Sequence, residues 1–192
     1  MDIRFSAFVL ATAILVPSAG WSQQTPPPGQ QAPPPASKSQ MDKPAVSNPD
    51  AQFLKKAAED NIAEVECATL ASTKAQNEQV KSFASKLLTD HQENQSEVQS
   101  LASKKSVTLP TELPAAKKAV KDRLSKLEGA GFDKAYVSEM IKDHKQAISA
   151  FEKAAKSSDP DVKAYAEKTL PALKDHLAQA QAIKLTAPAP IK

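Results

Sequence analysis

The residues best suited to hold a metal ion or move a proton recur here in one local pattern. All three histidines of the chain follow an aspartate, in the strings Leu88-Thr89-Asp90-His91, Ile141-Lys142-Asp143-His144 and Leu173-Lys174-Asp175-His176. Each histidine has an aliphatic residue three positions before it, a spacing that puts the pair on one face of a helix. The preceding aspartate falls ~100° round that helix, nearer the flank. Glu64 takes the equivalent place on an earlier helical stretch. Glu64, His91, His144 and His176 are therefore a candidate inward constellation, one group per helix. Three imidazoles and a carboxylate are a competent ligand set for Zn, Fe, Mn or Cu. The same four groups could instead form a buried polar layer that fixes helix register through its own hydrogen bonds. A carboxylate-bridged di-iron centre is argued against, because it needs Glu-x-x-His on two helices. Here Leu88, Ile141 and Leu173 occupy the positions three before the histidines.

Helices must position these groups, and their pattern is legible. From Asn48 the chain is rich in Ala, Lys, Glu and Leu. Ala57, Asn61, Glu64, Ala68, Ala71 and Ala75 recur at alternating spacings of four and three residues, the apolar seam of an amphipathic helix. Asp50 is the expected N-cap. Asn77 marks a break, after which Val80, Ala84, Leu87, His91, Asn94, Val98 and Leu101 repeat the seam. Glu64 lies 13 residues before Asn77 and His91 14 after it, so an antiparallel hairpin sets them at one height. Thr108 to Pro114 carries two prolines and reads as the long connection. A short helix over Ala115 to Glu128 is expected to end at Gly129 and Gly131. The next helix runs from Phe132 to Lys156. Ser158-Asp159-Pro160 is a capped turn with proline at a first helical position. The last helix carries Val162, Ala166, Thr169, Leu173, His176, Ala180 and Ile183.

Val80 to Lys86 resembles Val162 to Lys168, and each copy opens a helix after a polar turn. Two helical hairpins fit this echo. The fold class that follows is all-α: an antiparallel four-helix bundle with an extra short helix in the crossover.

Other chemistry is poorly represented. No Gly-x-Ser-x-Gly elbow occurs, and four glycines in all leave no phosphate-binding loop. Cys67 is the one cysteine. It excludes an intramolecular disulfide and reads as a small apolar helix residue. The net charge of +3 comes from mixed Lys, Arg, Asp and Glu along the helices, and aromatics are only 5%. A nucleic-acid stripe is excluded on both counts.

The ends speak to compartment. Arg4, the apolar run Ser6 to Val16 and the small residues Ser18, Ala19 and Gly20 read as a secretory signal over 1–22, with cleavage after Ser22 or Gly20. The apolar run is shorter than the ~20 residues a bilayer requires, so no transmembrane segment is expected in the mature chain. Residues 23–48, with Pro26-Pro27-Pro28 and Pro33-Pro34-Pro35, form a Pro/Gln-rich spacer. The bundle is expected over 49–186 and a Pro-Ala tail over 187–192.

Phe53 to about Leu185 resembles an exported bacterial family known as a domain of unknown function, DUF4142. The resemblance rests on Phe53 with Ala57, Ala63-Glu64-Val65-Glu66, Leu70-Ala71, Phe83-Ala84, Asp90-His91, Phe132-Asp133 with Tyr136, His144, and Leu170-Pro171 with His176. It implies a ferritin-like bundle and no established activity. The outer-membrane label attached to the family does not suit a helical bundle, which cannot be an integral barrel. The expected role is a non-enzymatic periplasmic or envelope-associated bundle, acting in maintenance or stress by binding an envelope protein, a cell-wall polymer or a small molecule. The alternative is a metal-binding bundle that stores, buffers or does redox chemistry with its ion.

Overall fold

The computed structural model describes residues 46–185. The expected signal, most of the spacer and the tail lie outside these residues. The described chain forms α1 (Asn48–Lys74), α2 (Glu78–Lys104), α3 (Ala115–Ser125), α4 (Gly129–Ala154) and α5 (Pro160–Ala182). No strand occurs among the described residues. Two hairpins, α1 with α2 and α4 with α5, pack into the expected four-helix, ferritin-like bundle, and α3 sits in the crossover against α1 and α4. No helix among the described residues is long and apolar enough to cross a membrane.

The helix starts follow capping chemistry, with two corrections to the expected boundaries. The cap of α1 is Ser47, not Asp50: Ser47 Oγ accepts the Asp50 backbone N–H. Pro49 suits the first turn because its missing N–H needs no partner there, so the helix starts earlier than expected. Asp50 instead sits buried inside that turn and accepts hydrogen bonds from the Ser47 and Ser157 hydroxyls, at 2.7 and 2.9 Å. This ties the start of α1 to the turn before α5. The second correction concerns the glycines. Gly129 and Gly131 do not end the short helix; α3 stops at Ser125 and Gly129 opens α4. Gly129 has φ of 56°, and a Cβ there would lie 3.1 Å from the Gln76 side-chain oxygen. The left-handed conformation turns the chain from α3 into α4.

The internal echo is structural as well. Asn77 and Asp159 cap α2 and α5 in the same way, each accepting backbone N–H groups two and three residues on. Val80 and Val162 follow their caps at the same distance, and both are fully buried.

The core is divided along the bundle axis. One apolar cluster holds Ala71, Val80, Phe83, Leu87, Leu124, Phe132, Tyr136 and Met140. The other holds Leu54, Ala58, Val98, Phe151, Val162, Tyr165 and Leu173. Reading each helix through, the switch from one cluster to the other occurs at Asn61 and Glu64 on α1, His91 on α2, His144 on α4 and near His176 on α5. All five side chains are buried. The bundle thus carries a polar layer between two hydrophobic halves.

Candidate metal centre

The three histidines expected on the inward seam meet in this layer. Their relative exposures are 5% for His91, 1% for His144 and 2% for His176. Their ring centroids stand 5.3 to 5.7 Å apart. One nitrogen from each ring lies within 4.8 Å of one from both others.

Hydrogen-bond partners decide which nitrogen of each ring carries its proton. His144 Nδ1 lies 2.9 Å from the Met140 carbonyl oxygen. A carbonyl only accepts, so His144 Nδ1 is the N–H and Nε2 is bare. His176 Nε2 lies 2.7 Å from Asp90 Oδ2. Burial alone would raise the Asp90 pKa, but hydrogen bonds from Lys86 and His176 outweigh it and hold the carboxyl below its usual range. Asp90 is therefore ionised and accepts, leaving His176 Nδ1 bare. His91 Nδ1 lies 2.9 Å from Asn61 Oδ1.

The orientation of the Asn61 amide is itself fixed by a chain of donors. Thr169 donates to the Tyr165 carbonyl, and Asn94 Nδ2 donates to Thr169 Oγ1. Asn94 Oδ1 then accepts from both Tyr165 OH and Asn61 Nδ2, at 2.8 Å each. Asn61 is left with only its oxygen to offer, so His91 donates through Nδ1 and its Nε2 is bare. His91 Nε2 has no hydrogen-bond partner among the described residues.

Three neutral imidazoles, each pinned by an acceptor on one nitrogen, thus leave three bare nitrogens in the same buried layer. His144 Nε2 and His176 Nδ1 approach to 3.3 Å. With both rings neutral this is a contact between two lone pairs. An ion held at the usual metal–imidazole distance of ~2.0–2.1 Å sets its nitrogens about 3.3–3.6 Å apart, so the pair already has the separation of two ligands. Metal-bound histidines characteristically donate their other N–H to a carboxylate, a carbonyl or a comparable oxygen, which fixes tautomer and ring orientation. Asp90, Met140 and Asn61 supply one of each.

The three aspartates, expected nearer the helix flanks, differ in what they serve. Asp90 pairs with His176 across the bundle, not with its neighbour His91. Asp143 binds Lys117 at 2.9 Å, and Asp175 is exposed, 3.8 Å from Lys86. Lys117 also reaches Asp60 at 3.2 Å, which fastens α3 across α1 and α4 beside the layer. The polar residues Asn61, Asn94 and Thr169 stand on the helical seams in the sequence. Their seam position was the available signal, although nothing local showed what they orient.

Glu64 lies in the same layer but outside the histidine group. Its Oε1 is 3.7 Å from His144 Nδ1, the nitrogen already committed to Met140, so it stands behind that ring. Burial, aided by the nearby Asp143 carboxylate, raises its pKa to about 8. Glu64 is protonated and neutral at pH 7. Cys67 is buried, and desolvation pushes its thiol up to about 12. It is an inert, small apolar residue, as expected.

A cavity of about 270 Å³ opens onto the triad, with all three histidines and Glu64 in its wall. Its lining also carries Asp60, Glu93, Glu97, Asp143 and Lys168; Lys117 pairs with Asp60 and Asp143, and Lys168 with Glu97, so most of these charges are compensated within the protein.

The chain matches the family described as a domain of unknown function, DUF4142, over residues 35–183. It belongs to that family. A search of the curated proteins gave no match. Among solved structures, this DUF4142 chain is similar to a DUF305 fragment from Deinococcus radiodurans, with a TM-score of 0.65 at 14% identity, covering 72% of this chain and 96% of that one. It is also similar to CopM in the Cu(I)-bound form, with a TM-score of 0.58 at 15% identity, covering 69% and 92%. CopM in the Ag-bound form gives 0.57 at 16%, with the same coverage. At these identities the likeness establishes the fold.

The electrostatics of the layer predict an optimum in stability with pH. Burial lowers the pKa of all three histidines, that of His144 to about 4. Their ordinary value is near 6.5. Between these values the unfolded chain binds more protons, so stability rises with pH and is fully present only above ~6.5. His144 alone is worth on the order of 3 kcal/mol across that window, at 1.36 kcal/mol per unit. Glu64 acts oppositely: between 4.5 and about 8 the folded chain holds the extra proton, so stability falls as pH rises. Three histidines outweigh one carboxyl below pH ~6.5, and Glu64 alone acts above it. The expected thermal midpoint of the metal-free protein peaks near pH 6.5, drops steeply toward pH 5 and declines gently toward pH 8. Glu64→Gln should flatten the alkaline side and steepen the acid side, because Glu64 opposes the histidines from about pH 4.5 upward. A midpoint flat from pH 5 to 8 in the parent chain would contradict this.

Proposed function

We propose that this chain is an exported bundle that holds one transition-metal ion on His91 Nε2, His144 Nε2 and His176 Nδ1. The observation that carries the proposal is the convergence of three bare imidazole nitrogens whose outer nitrogens are all engaged by acceptors. A polar layer serving register alone would pair these lone pairs with donors, because a buried polar atom left unsatisfied costs ~1–3 kcal/mol. An ion satisfies all three at once.

Copper is the first candidate. Imidazole sites suit copper and zinc, and the general affinity order for divalent ions places copper above zinc. The structural likeness to CopM, whose solved forms carry Cu(I) and Ag, agrees with this choice. Asp90 offsets part of the ion's charge through His176. Storage or buffering of the ion in the periplasm or envelope is the physiological role that fits, without a need for a protein or wall-polymer partner.

Titration of the purified chain with copper at pH 7 tests the reading. One equivalent should bind, and His144→Ala or His91→Ala should weaken binding at least 100-fold. A parent chain that keeps less than half an equivalent of copper or zinc after desalting would reject the reading and restore the polar layer.

A further inference from the structure

The geometry points to a metal centre with an open coordination position, facing the cavity and able to take a small donor molecule as its remaining ligand. This rests on the metal reading above and adds to it. A site built to seal an ion closes its coordination shell with protein, whereas a site with three protein ligands keeps a place for a substrate or water. The described side chains supply three nitrogens and no fourth donor. The histidine group has no carboxylate within it. Asp90 Oδ2 is occupied by His176 and Lys86. Asn94 and Thr169 are spent on the chain of hydrogen bonds that orients Asn61. Glu64 stands behind His144, on its Nδ1 side.

The space for a further ligand is present. The cavity, about 270 Å³, is far larger than an ion requires, and it touches all three histidines. Apart from its polar rim it is walled by Ala57, Ala147, Phe151, Ala172 and Leu173. Two buried polar atoms on its lining residues have no partner, His91 Nε2 and Glu64 Oε2. The first would face the metal, and the second is a hydrogen-bonding group for whatever occupies the cavity.

Carbon monoxide is the probe, because it is small, uncharged and binds copper(I) only where a position is free. The full chain is loaded with one equivalent of copper(I), desalted without oxygen, assayed for copper and then exposed to carbon monoxide. The infrared spectrum should show one bound C–O stretch at one equivalent per copper. Ala147 lies one turn beyond His144 on the same face, so Ala147→Leu fills the cavity beside the site. That variant should retain copper fully and lose carbon monoxide affinity at least tenfold. Copper retained without a C–O band would overturn the open position while leaving the metal site standing. An unchanged band in Ala147→Leu would overturn the cavity as the place of binding. A chain that retains no copper would remove the metal reading itself.

Discussion

Saturating the chain with copper at pH 7 is expected to raise its thermal midpoint by roughly 10 °C. An ion that binds only the folded state adds RT ln(1 + [L]/Kd), ~4 kcal/mol at a thousandfold excess over Kd. For a chain of this size each kcal/mol moves the midpoint by ~2–4 °C. The effect should be large because the metal-free layer is held in an unfavourable arrangement. Three desolvated bare nitrogens share the layer, two of them 3.3 Å apart, and binding replaces their repulsion with three coordinate bonds. Calorimetry with and without the ion measures the shift. His144→Ala, with binding weakened at least 100-fold, should reduce it to roughly 5 °C or less. The shift should persist at pH 5 and shrink toward pH 4, where protons begin to compete with the ion for His144. An unchanged midpoint in the parent chain at pH 7 would leave the layer with no ion to bind.

The second large effect runs against the usual direction of core mutations. His144→Leu should stabilise the metal-free bundle by ~1–3 kcal/mol, the scale of one unsatisfied buried polar atom, while abolishing metal binding. The two side chains are similar in volume, and His144 is 1% exposed. Its single hydrogen bond goes to Met140 O, a carbonyl within the body of α4 that the helix ladder already serves. Removing the imidazole therefore strands no partner, relieves its contact with His176 and adds apolar burial. The other two histidines should not behave alike. His91→Leu orphans Asn61 Oδ1, and His176→Leu leaves Asp90 with Lys86 alone, so both should destabilise by ~1–3 kcal/mol. Denaturant unfolding of the three metal-free variants reads the pattern. A layer that served register would show loss at all three positions, so destabilisation by His144→Leu would count against a metal-binding origin. A residue that weakens the metal-free fold and is needed only when the ion is present is the signature of function held at the expense of stability.

Much of this was readable from residue spacing. The aliphatic residue three before each histidine placed all three rings on apolar seams, and the count on either side of Asn77 set Glu64 and His91 at one height. The echo of Val80 to Lys86 in Val162 to Lys168 marked the two hairpins. What the sequence could not show is which atoms face which. Asp90 precedes His91 but serves His176, because neighbouring residues on a helix diverge by ~100° and the flank of α2 faces α5. Glu64 shares the layer yet turns its carboxyl to the far side of His144, a matter of side-chain direction rather than position. The tautomers depend on Thr169, Asn94 and Asn61, three residues from three helices whose relation is tertiary. The boundary errors were local in origin. Ser47 lay before the expected cap, and the glycines after α3 were read as a stop when the positive φ of Gly129 makes them a start.

The central claim is that three particular nitrogens share one ion. Anomalous diffraction at the copper edge, from crystals of the copper-loaded chain, tests it most directly. The account predicts a single peak in the layer between the two hydrophobic clusters, ~2.0–2.1 Å from His91 Nε2, His144 Nε2 and His176 Nδ1, with Asp90, Met140 and Asn61 still bonded to the opposite ring nitrogens. A layer without a peak, or a peak coordinated by His144 Nδ1 and Glu64, would contradict it.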